Sequence, residues 1–238
     1  IPKVEGGEIQ SSIEFIIEEN VPLLLSESVF DYEIVKRQEP EDDKITVSVS
    51  VLPNESVQMY HDLFCGEDLI PVHYMIESQA IAKSVVPKNE KDPVLLVHLC
   101  RAKFGLYIVY GGTVNFTSTI EISKIKGDPL SSGELKNNIN SSYPPIDSVV
   151  EEIEKVNAYW KTQSNRLGFK DGEIKRLILC GIFANISGID RYLEDKTGID
   201  SQIANAWENS FSINNYVPEI QKDDSLNFIT PIGLAMTN

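Results

Sequence analysis

Cysteine is scarce, and the three that occur, Cys65, Cys100 and Cys180, lie far apart within apolar stretches. That is the usage of buried free thiols in a reducing compartment; it argues against a disulfide-stapled secreted scaffold and for a cytoplasmic address. Positive charge is short as well: 21 Lys and Arg stand against 36 Asp and Glu, a formal net charge of −15, with no basic run anywhere. Such a balance repels nucleic acid and anionic lipid heads, so neither is expected as a partner. No apolar run reaches the ~20 residues a membrane helix needs, since Val94 to Val97 and the interrupted stretch Ile174 to Ile182 fall well short. Direct membrane insertion is therefore not expected. The start carries no signal-peptide pattern, and its first residue is Ile, so the chain reads as a fragment or processed form.

Common catalytic signatures are missing too. Neither a Walker A motif nor G-x-G-x-x-G occurs, and the pair Gly111-Gly112 sits in a hairpin context. G-x-S-x-G and H-E-x-x-H are also lacking, which leaves classical hydrolase chemistry without support. His61 and Cys65, four apart on an expected helix, share one face, but two ligands do not complete a metal site, and His73 and His98 fall in strand contexts. No metal is expected.

What is present is an ordinary globule of 238 residues with 42% hydrophobic and 24% charged residues, enough for one large domain or two small ones. The spacing of Ile9, Ile13, Ile16 and Ile17 predicts a helix over Glu8 to Glu19, ended by Val21-Pro22. Ser28 to Arg37, with Tyr32 and Ile34 on one face, and the alternating Lys44 to Leu52 predict a hairpin around an acidic loop. A helix from Pro53 to Cys65, a strand from Asp68 to Tyr74 and a helix from Glu77 to Val85 follow. The segment Pro87 to Pro93 marks a linker or domain boundary. Beyond it Val94 to Cys100, Gly105 to Tyr110 and Thr113 to Ile122 predict a three-strand meander, and Lys126 to Pro145 a loop. Then come a helix over Asp147 to Asn165, a buried strand over Ile174 to Cys180, a helix over Ser187 to Thr197 and a last element over Leu226 to Met236, interrupted at Pro231. Alternation of strands and helices in both halves makes the class α/β or α+β.

The order of these segments resembles the type IV pilus assembly protein PilM family, relatives of FtsA within the actin-like ATPases. Ile9, Ile13 and Ile17, the Val21-Pro22 break and Val29-Phe30-Asp31-Tyr32 resemble the start of that family's inserted subdomain. Glu77-x2-Ala80-Ile81-Ala82 resembles the helix that rejoins the first lobe. Leu95 to Cys100 resembles the strand that opens the second lobe, and Leu177 to Ala184 with Gly188, Tyr192-Leu193 and Gly198-Ile199 resembles the adenosine motif; Ile232-Gly233-Leu234-Ala235 closes the match. The resemblance implies a partial actin-like, ribonuclease-H-like fold: an inserted α+β subdomain over 1–75, a connecting helix and linker over 76–92, and a second lobe with a reduced insertion over 93–238.

It also implies where a nucleotide would bind. Against the family's Asp-x-Gly phosphate loop this chain has His98 and Cys100, with Arg101 and Lys103 after them, so no carboxylate remains there for Mg²⁺. Against the adenosine motif it keeps Gly181 and Gly188 but replaces two glycines by Ile182 and Phe183, which would fill the base pocket. The implied function is a cytoplasmic, non-hydrolysing scaffold of a type IV pilus or related secretion machine, without bound cofactor and held at the inner membrane through a partner. That partner is the cytoplasmic tail of a PilN-type protein, lying along Tyr32, Ile34, Met59, Leu63, Val72 and Tyr74, with other machine subunits in addition. The alternative is an ATPase or phosphotransferase of the same superfamily using ATP and Mg²⁺, with Asp128, Asp171 or Asp190 as its carboxylate.

Overall fold

A computed structural model describes residues 1, 6–35, 45–122, 145–167, 172–211, 216 and 218–236. The chain divides into two compact units, Ile1–Ile76 and Glu77–Asn238. The expected loop Lys126 to Pro145 lies outside the described residues except for Pro145 itself. The segment Pro87 to Pro93, read from the sequence as a linker or domain boundary, is a loop within the second unit that connects two of its elements.

In the first unit, helix α1 (Gly6–Asn20) precedes the antiparallel pair β1 (Ser28–Val35) and β2 (Thr46–Pro53), and α2 (Asn54–Gly66) follows directly. The register pairs Tyr32 with Val49 and Phe30 with Val51. Ile9, Ile13 and Ile17 recur on one stripe of α1 and are buried against Phe30, Tyr32, Val47, Val49 and Val51. The expected helix and hairpin are thus both present and pack on each other. The regular register puts Tyr32 and Ile34 on one face of β1, as expected, with Tyr32 packed against this core and Ile34 49% exposed. One expectation fails. Asp68 to Tyr74 forms no strand. Asp68 takes a positive φ of 58°, Pro71 has no N–H to give to a ladder, and the unit's sheet has only two strands.

The second unit begins with α3 (Glu77–Val85) and a five-stranded mixed sheet of order β5-β4-β3-β6-β7. Its strands are β3 (Val94–Leu99), β4 (Lys103–Tyr110), β5 (Thr113–Glu121), β6 (Arg176–Cys180) and β7 (Asp200–Ile203). The meander β3-β4-β5 is antiparallel, with Gly111 and Gly112 at positive φ in its second turn. An irregularity between Ile108 and Val109 leaves Asn115 as the extra residue, and its Nδ2 donates to the Tyr110 and Thr113 carbonyls at 2.9 and 2.7 Å. β6 and β7 run parallel to β3, joined by the crossover helix α5 (Ile189–Thr197). β7 has no counterpart in the sequence reading: Asp-Ser-Gln-Ile shows no alternation, and the strand exists because β6 offers it an edge.

Helix α4 (Ile146–Leu167) buries Val149, Ile153, Val156 and Trp160 along one stripe. At the end of the described chain, a short α6 (Lys222–Ser225) leads into α7 (Ile229–Ala235). Pro231 does not interrupt it: as the third residue of α7 it occupies the first turn, where an N–H has no intrahelical acceptor to lose. A Cβ on Gly233 would run into the Ala80 carbonyl of α3, so this glycine sets how closely α7 and α3 approach. No described helix is long and apolar enough to cross a membrane.

Two substitutions test these cores. Ile13→Ala empties a fully buried position of the first unit and is expected to destabilise it by about 2 to 5 kcal/mol in chemical denaturation. Gly233→Val drives a branched side chain into the α3 backbone and is expected to lower the second unit's stability by at least about 1 to 3 kcal/mol. A wild-type transition in either variant would contradict the packing described.

Candidate functional site

Alternation along β4 sends Lys103, Gly105 and Tyr107 to one face of the sheet and Phe104, Leu106, Ile108 and Tyr110 to the other. The Tyr107 hydroxyl reaches Glu77 of α3 at 3.3 Å, while Tyr110 meets Trp160 of α4 edge-on with ring centroids 6.4 Å apart. So α3 and α4 cover opposite faces. His98 pairs with Gly105 across one edge of β3 and with Cys180 across the other, which places His98, Cys180 and Tyr107 together on the α3 face. Cys100, two residues on from His98, joins them just past the end of β3.

A polar cluster results on an otherwise apolar surface. Glu77 accepts a hydrogen bond from Lys103 Nζ at 2.6 Å and stands 3.9 Å from His98 Nδ1. Cys100 Sγ lies 3.1 Å from His98 Nε2 and 3.9 Å from its Nδ1. The Cys180 thiol donates to the Val97 carbonyl at 3.7 Å. Gly105 makes room for this arrangement, since a side chain there would collide with the Tyr107 ring. Lys103 stands where the resemblance put a phosphate loop, but its charge is already matched by Glu77.

Burial decides the protonation states. It lowers His98 below its ordinary value, against the raising pull of Glu77 and with some help from Lys103. It raises Cys100, with Glu77 adding to the effect, and it raises Cys180 well above the ordinary thiol range. Tyr107 is raised by burial first and then by Glu77. At neutral pH the imidazole and both thiols are uncharged, and the cluster's ionic content is the Glu77 and Lys103 pair. Although Cys100, His98 and Glu77 stand in the order of nucleophile, base and orienting acid, the thiol is not activated and the imidazole to carboxylate spacing exceeds a hydrogen bond.

The second loop, which the resemblance aligns with an adenosine motif, closes against this end of β3. Gly181 has φ +90°, and a Cβ there would come within 2.5 Å of the Leu99 carbonyl oxygen and 2.8 Å of the His98 ring. The Phe183 N–H donates to the same Leu99 carbonyl at 3.3 Å. Phe183 is buried in the main core, and Ile182 packs on it from a half-buried position. His98, Cys100, Lys103, Gly181, Ile182 and Phe183 are therefore brought to one end of the sheet, whereas Arg101 is exposed and Gly188, also exposed, is the positive-φ residue that precedes α5 and accepts a hydrogen bond from the Tyr192 N–H at 2.9 Å.

One expectation is corrected: a carboxylate does stand beside His98, that of Glu77, supplied by α3 and not by the β3 loop. In the sequence Glu77 opens a helix that resembles the one rejoining the family's first lobe, and nothing in the string connects it to Lys103 or Tyr107, 26 and 30 residues away. Of the carboxylates named under the enzyme alternative, Asp190 lies in the first turn of α5, and Asp128 and Asp171 fall outside the described residues. Among the described residues no group of three or more His, Cys, Asp or Glu is placed to hold a metal ion.

The residues expected to line a peptide groove are distributed over the first unit. Tyr32 belongs to the core under α1. Met59 and Leu63, one turn apart on α2, are 58% and 61% exposed, and Tyr60 and Phe64 beside them are exposed too. Of the thirteen residues of α2, Val57 alone is half-buried and none is buried. Val72 is exposed and Tyr74 half-buried in the segment after α2, which lacks regular structure.

No protein-family model matches the chain, and no curated protein matches it. Among solved structures it is similar to the PilM-PilN type IV pilus biogenesis complex, with a TM-score of 0.69 and 18% sequence identity over 99% of this chain and 73% of that one. It also matches a Bacteroides thetaiotaomicron protein with actin-like ATPase fold and unknown function, at a TM-score of 0.40 and 11% identity over 88% of this chain and 65% of that one. The ethanolamine utilization protein EutJ from Carboxydothermus hydrogenoformans matches at a TM-score of 0.36 and 14% identity, over 87% of this chain and 85% of that one. At such identities the likeness is one of fold: the chain is mixed α/β with a partial actin-like architecture, as its segment order led us to expect.

The neutral His98 has a consequence for stability. Its folded value lies below the ordinary 6.5, so on acidification the unfolded chain takes up this proton before the folded chain does, and stability is lost as pH falls below about 6.5. The difference in melting temperature between His98→Gln and wild type should shift in the variant's favour between pH 7 and pH 5. A difference independent of pH would contradict the buried neutral imidazole.

Proposed function

We propose that the chain is an actin-like scaffold of a type IV pilus or related secretion machine, which docks the cytoplasmic tail of a PilN-type membrane protein and does not hydrolyse ATP. The observation that carries this reading is α2, a helix of thirteen residues with apolar side chains and no buried position. A helix that short is marginal unless tertiary contacts hold it. Exposed Met59, Tyr60, Leu63 and Phe64 supply anchors for a partner, in the residue types that dominate binding energy at interfaces. Charge selects the partner's sign: from Ile45 to Ala82 the sequence contains no Lys or Arg, while Glu55, Asp62, Glu67 and Asp68 lie on or beside α2. A partly basic extended segment is steered to such a surface. The fold likeness to PilM in its complex with PilN supports the same partner class.

Absence of hydrolysis is supported by the closed end of the sheet. A nucleotide seated as in the resembled family would have to displace the Phe183 side chain from the core. The Glu77 carboxylate, the one candidate to order Mg²⁺ beside His98, is engaged by Lys103 at 2.6 Å. With the pocket filled and the carboxylate neutralised by a cation, the scaffold keeps the architecture and uses it for protein binding.

Calorimetry on the full chain tests both halves of the proposal. Mg-ATP is expected to give no saturable heat, and micromolar binding would sink the non-hydrolysing reading. A basic tail peptide of about 10 residues is expected to bind with micromolar Kd, roughly −8 kcal/mol. Leu63→Glu, which is exposed and leaves the core untouched, should weaken that complex at least tenfold, about 1.4 kcal/mol, with an unchanged circular dichroism spectrum. Equal affinity of variant and wild type would remove α2 from the docking surface.

A further inference from the structure

The five-stranded sheet of the second unit ends on two edge strands, β5 and β7. Natural proteins blunt such edges with short length, charge, proline or a bulge, because a row of outward N–H and C=O groups is a template for another strand. β7 is blunted: it has four residues and opens on Asp200, whose carboxylate stands 3.8 Å from Arg176 Nε. β5 is not. It runs for nine residues, and among the described residues no strand lies along its second edge. Its bulge at Asn115 protects the start, but Phe116, Thr117, Ser118, Thr119 and Ile120 beyond it carry no charge and no proline. We propose that β5 pairs antiparallel with β5 of a second copy of this chain, Ser118 of one facing Ser118 of the other across a twofold axis, so that the two sheets become continuous.

The register follows from the side chains. Directly opposed residues of an antiparallel pair point to the same face. Pairing with β4 puts Phe116, Ser118 and Ile120 on the face that α4 covers, and Thr117 and Thr119 on the α3 face. Centred on Ser118, the pairing sets Phe116 against Ile120 of the other copy twice, an aromatic ring against a β-branched side chain. On the α3 face it sets Thr117 against Thr119 twice. Both are cross-strand pairs that stabilise sheets. Glu121 reaches the bulge residue Asn115, so no two like charges are opposed. Centring on Thr117 sets Phe116 against Ser118, and centring on Thr119 sets Ile120 against Ser118, and either loses the apolar pair.

The surroundings favour a second copy as the occupant. Phe116 and Ile120 pack on the main core yet are only half-buried. Phe116 meets Tyr159 of α4, which is 46% exposed, with ring centroids 5.0 Å apart. Pairing covers this apolar rim. A net charge of −15 opposes contact between copies over most of the surface, and the neutral run from Phe116 to Ile120 is a place where that repulsion is least. The contact is isologous, so it closes at two copies. A single strand a side falls well short of the roughly 20 to 30 residues of a standard interface, so the dimer is weak and reversible, with a Kd of roughly 10 to 100 µM. It stands apart from the docking reading, because α2 belongs to the first unit.

Sedimentation equilibrium of the full chain, at concentrations from well below to well above that Kd, tests the proposal. Wild type is expected to pass reversibly from monomer to dimer. Thr117→Lys with Thr119→Lys places lysine opposite lysine in both pairs and should weaken the dimer at least tenfold. Thr117→Lys with Thr119→Glu loads the same two exposed positions but places lysine opposite glutamate, and should dimerise at least as tightly as wild type. Both variants lose the Thr119 contact with Tyr107 alike, and circular dichroism serves as the fold control. A wild type that stays monomeric would leave this edge to a strand of another protein and overturn the pairing of copies. Two variants that behave alike, both dimeric or both monomeric, would overturn the register.

Discussion

Strand β3 carries six consecutive buried residues, Val94 to Leu99, and a strand hidden on both faces needs hydrogen-bonding neighbours on both edges and a covering layer on each side. The meander supplies β4 on one edge and the crossover supplies β6 on the other. α3 and α4 supply the layers. Each edge partner in turn needs its own neighbour, which is how the weakly patterned β7 is recruited. The close approach of α7 to α3 at Gly233 completes one layer and ties the last helix into the same core.

The polar cluster exists inside this constraint. His98 sits at the end of a strand that must be buried, so its ring is desolvated, and Glu77 comes to its side because α3 has to cover that face. Lys103 at the start of β4 then neutralises Glu77. Gly181 and Phe183 bring the β6 loop onto Leu99 and leave the end of the sheet closed. His98, Glu77, Lys103, Gly181 and Phe183 are, in the folded protein, a set of groups that satisfy one another.

The first unit is built differently. Its described core has three buried residues, all isoleucines of α1, resting on a two-stranded sheet. A two-stranded sheet does not stand alone, and α1 supplies the cover it needs. α2 receives no such cover from its own unit. Its apolar side chains, its His and Cys pair and its acidic surroundings are available to solvent for that reason.

Much of this was legible in the string. Periodicity placed α1, the hairpin, α2, α3, the meander, α4 and β6, because each carries its own hydrophobic pattern over enough residues to be read locally. Pro231 misled because its effect depends on its distance from the helix start, which the string does not mark. The strand expected over Asp68 to Tyr74 failed for want of a partner, and β7 went unread because its partner makes it a strand. Of the site, His98, Cys100, Ile182 and Phe183 were singled out by the resemblance alone. Glu77 and Tyr107 were not, since their meeting depends on which face of the sheet α3 covers. Local pattern determined the elements and their order; the tertiary structure alone decided protonation and closure, because burial and long-range pairing are properties of the assembled sheet.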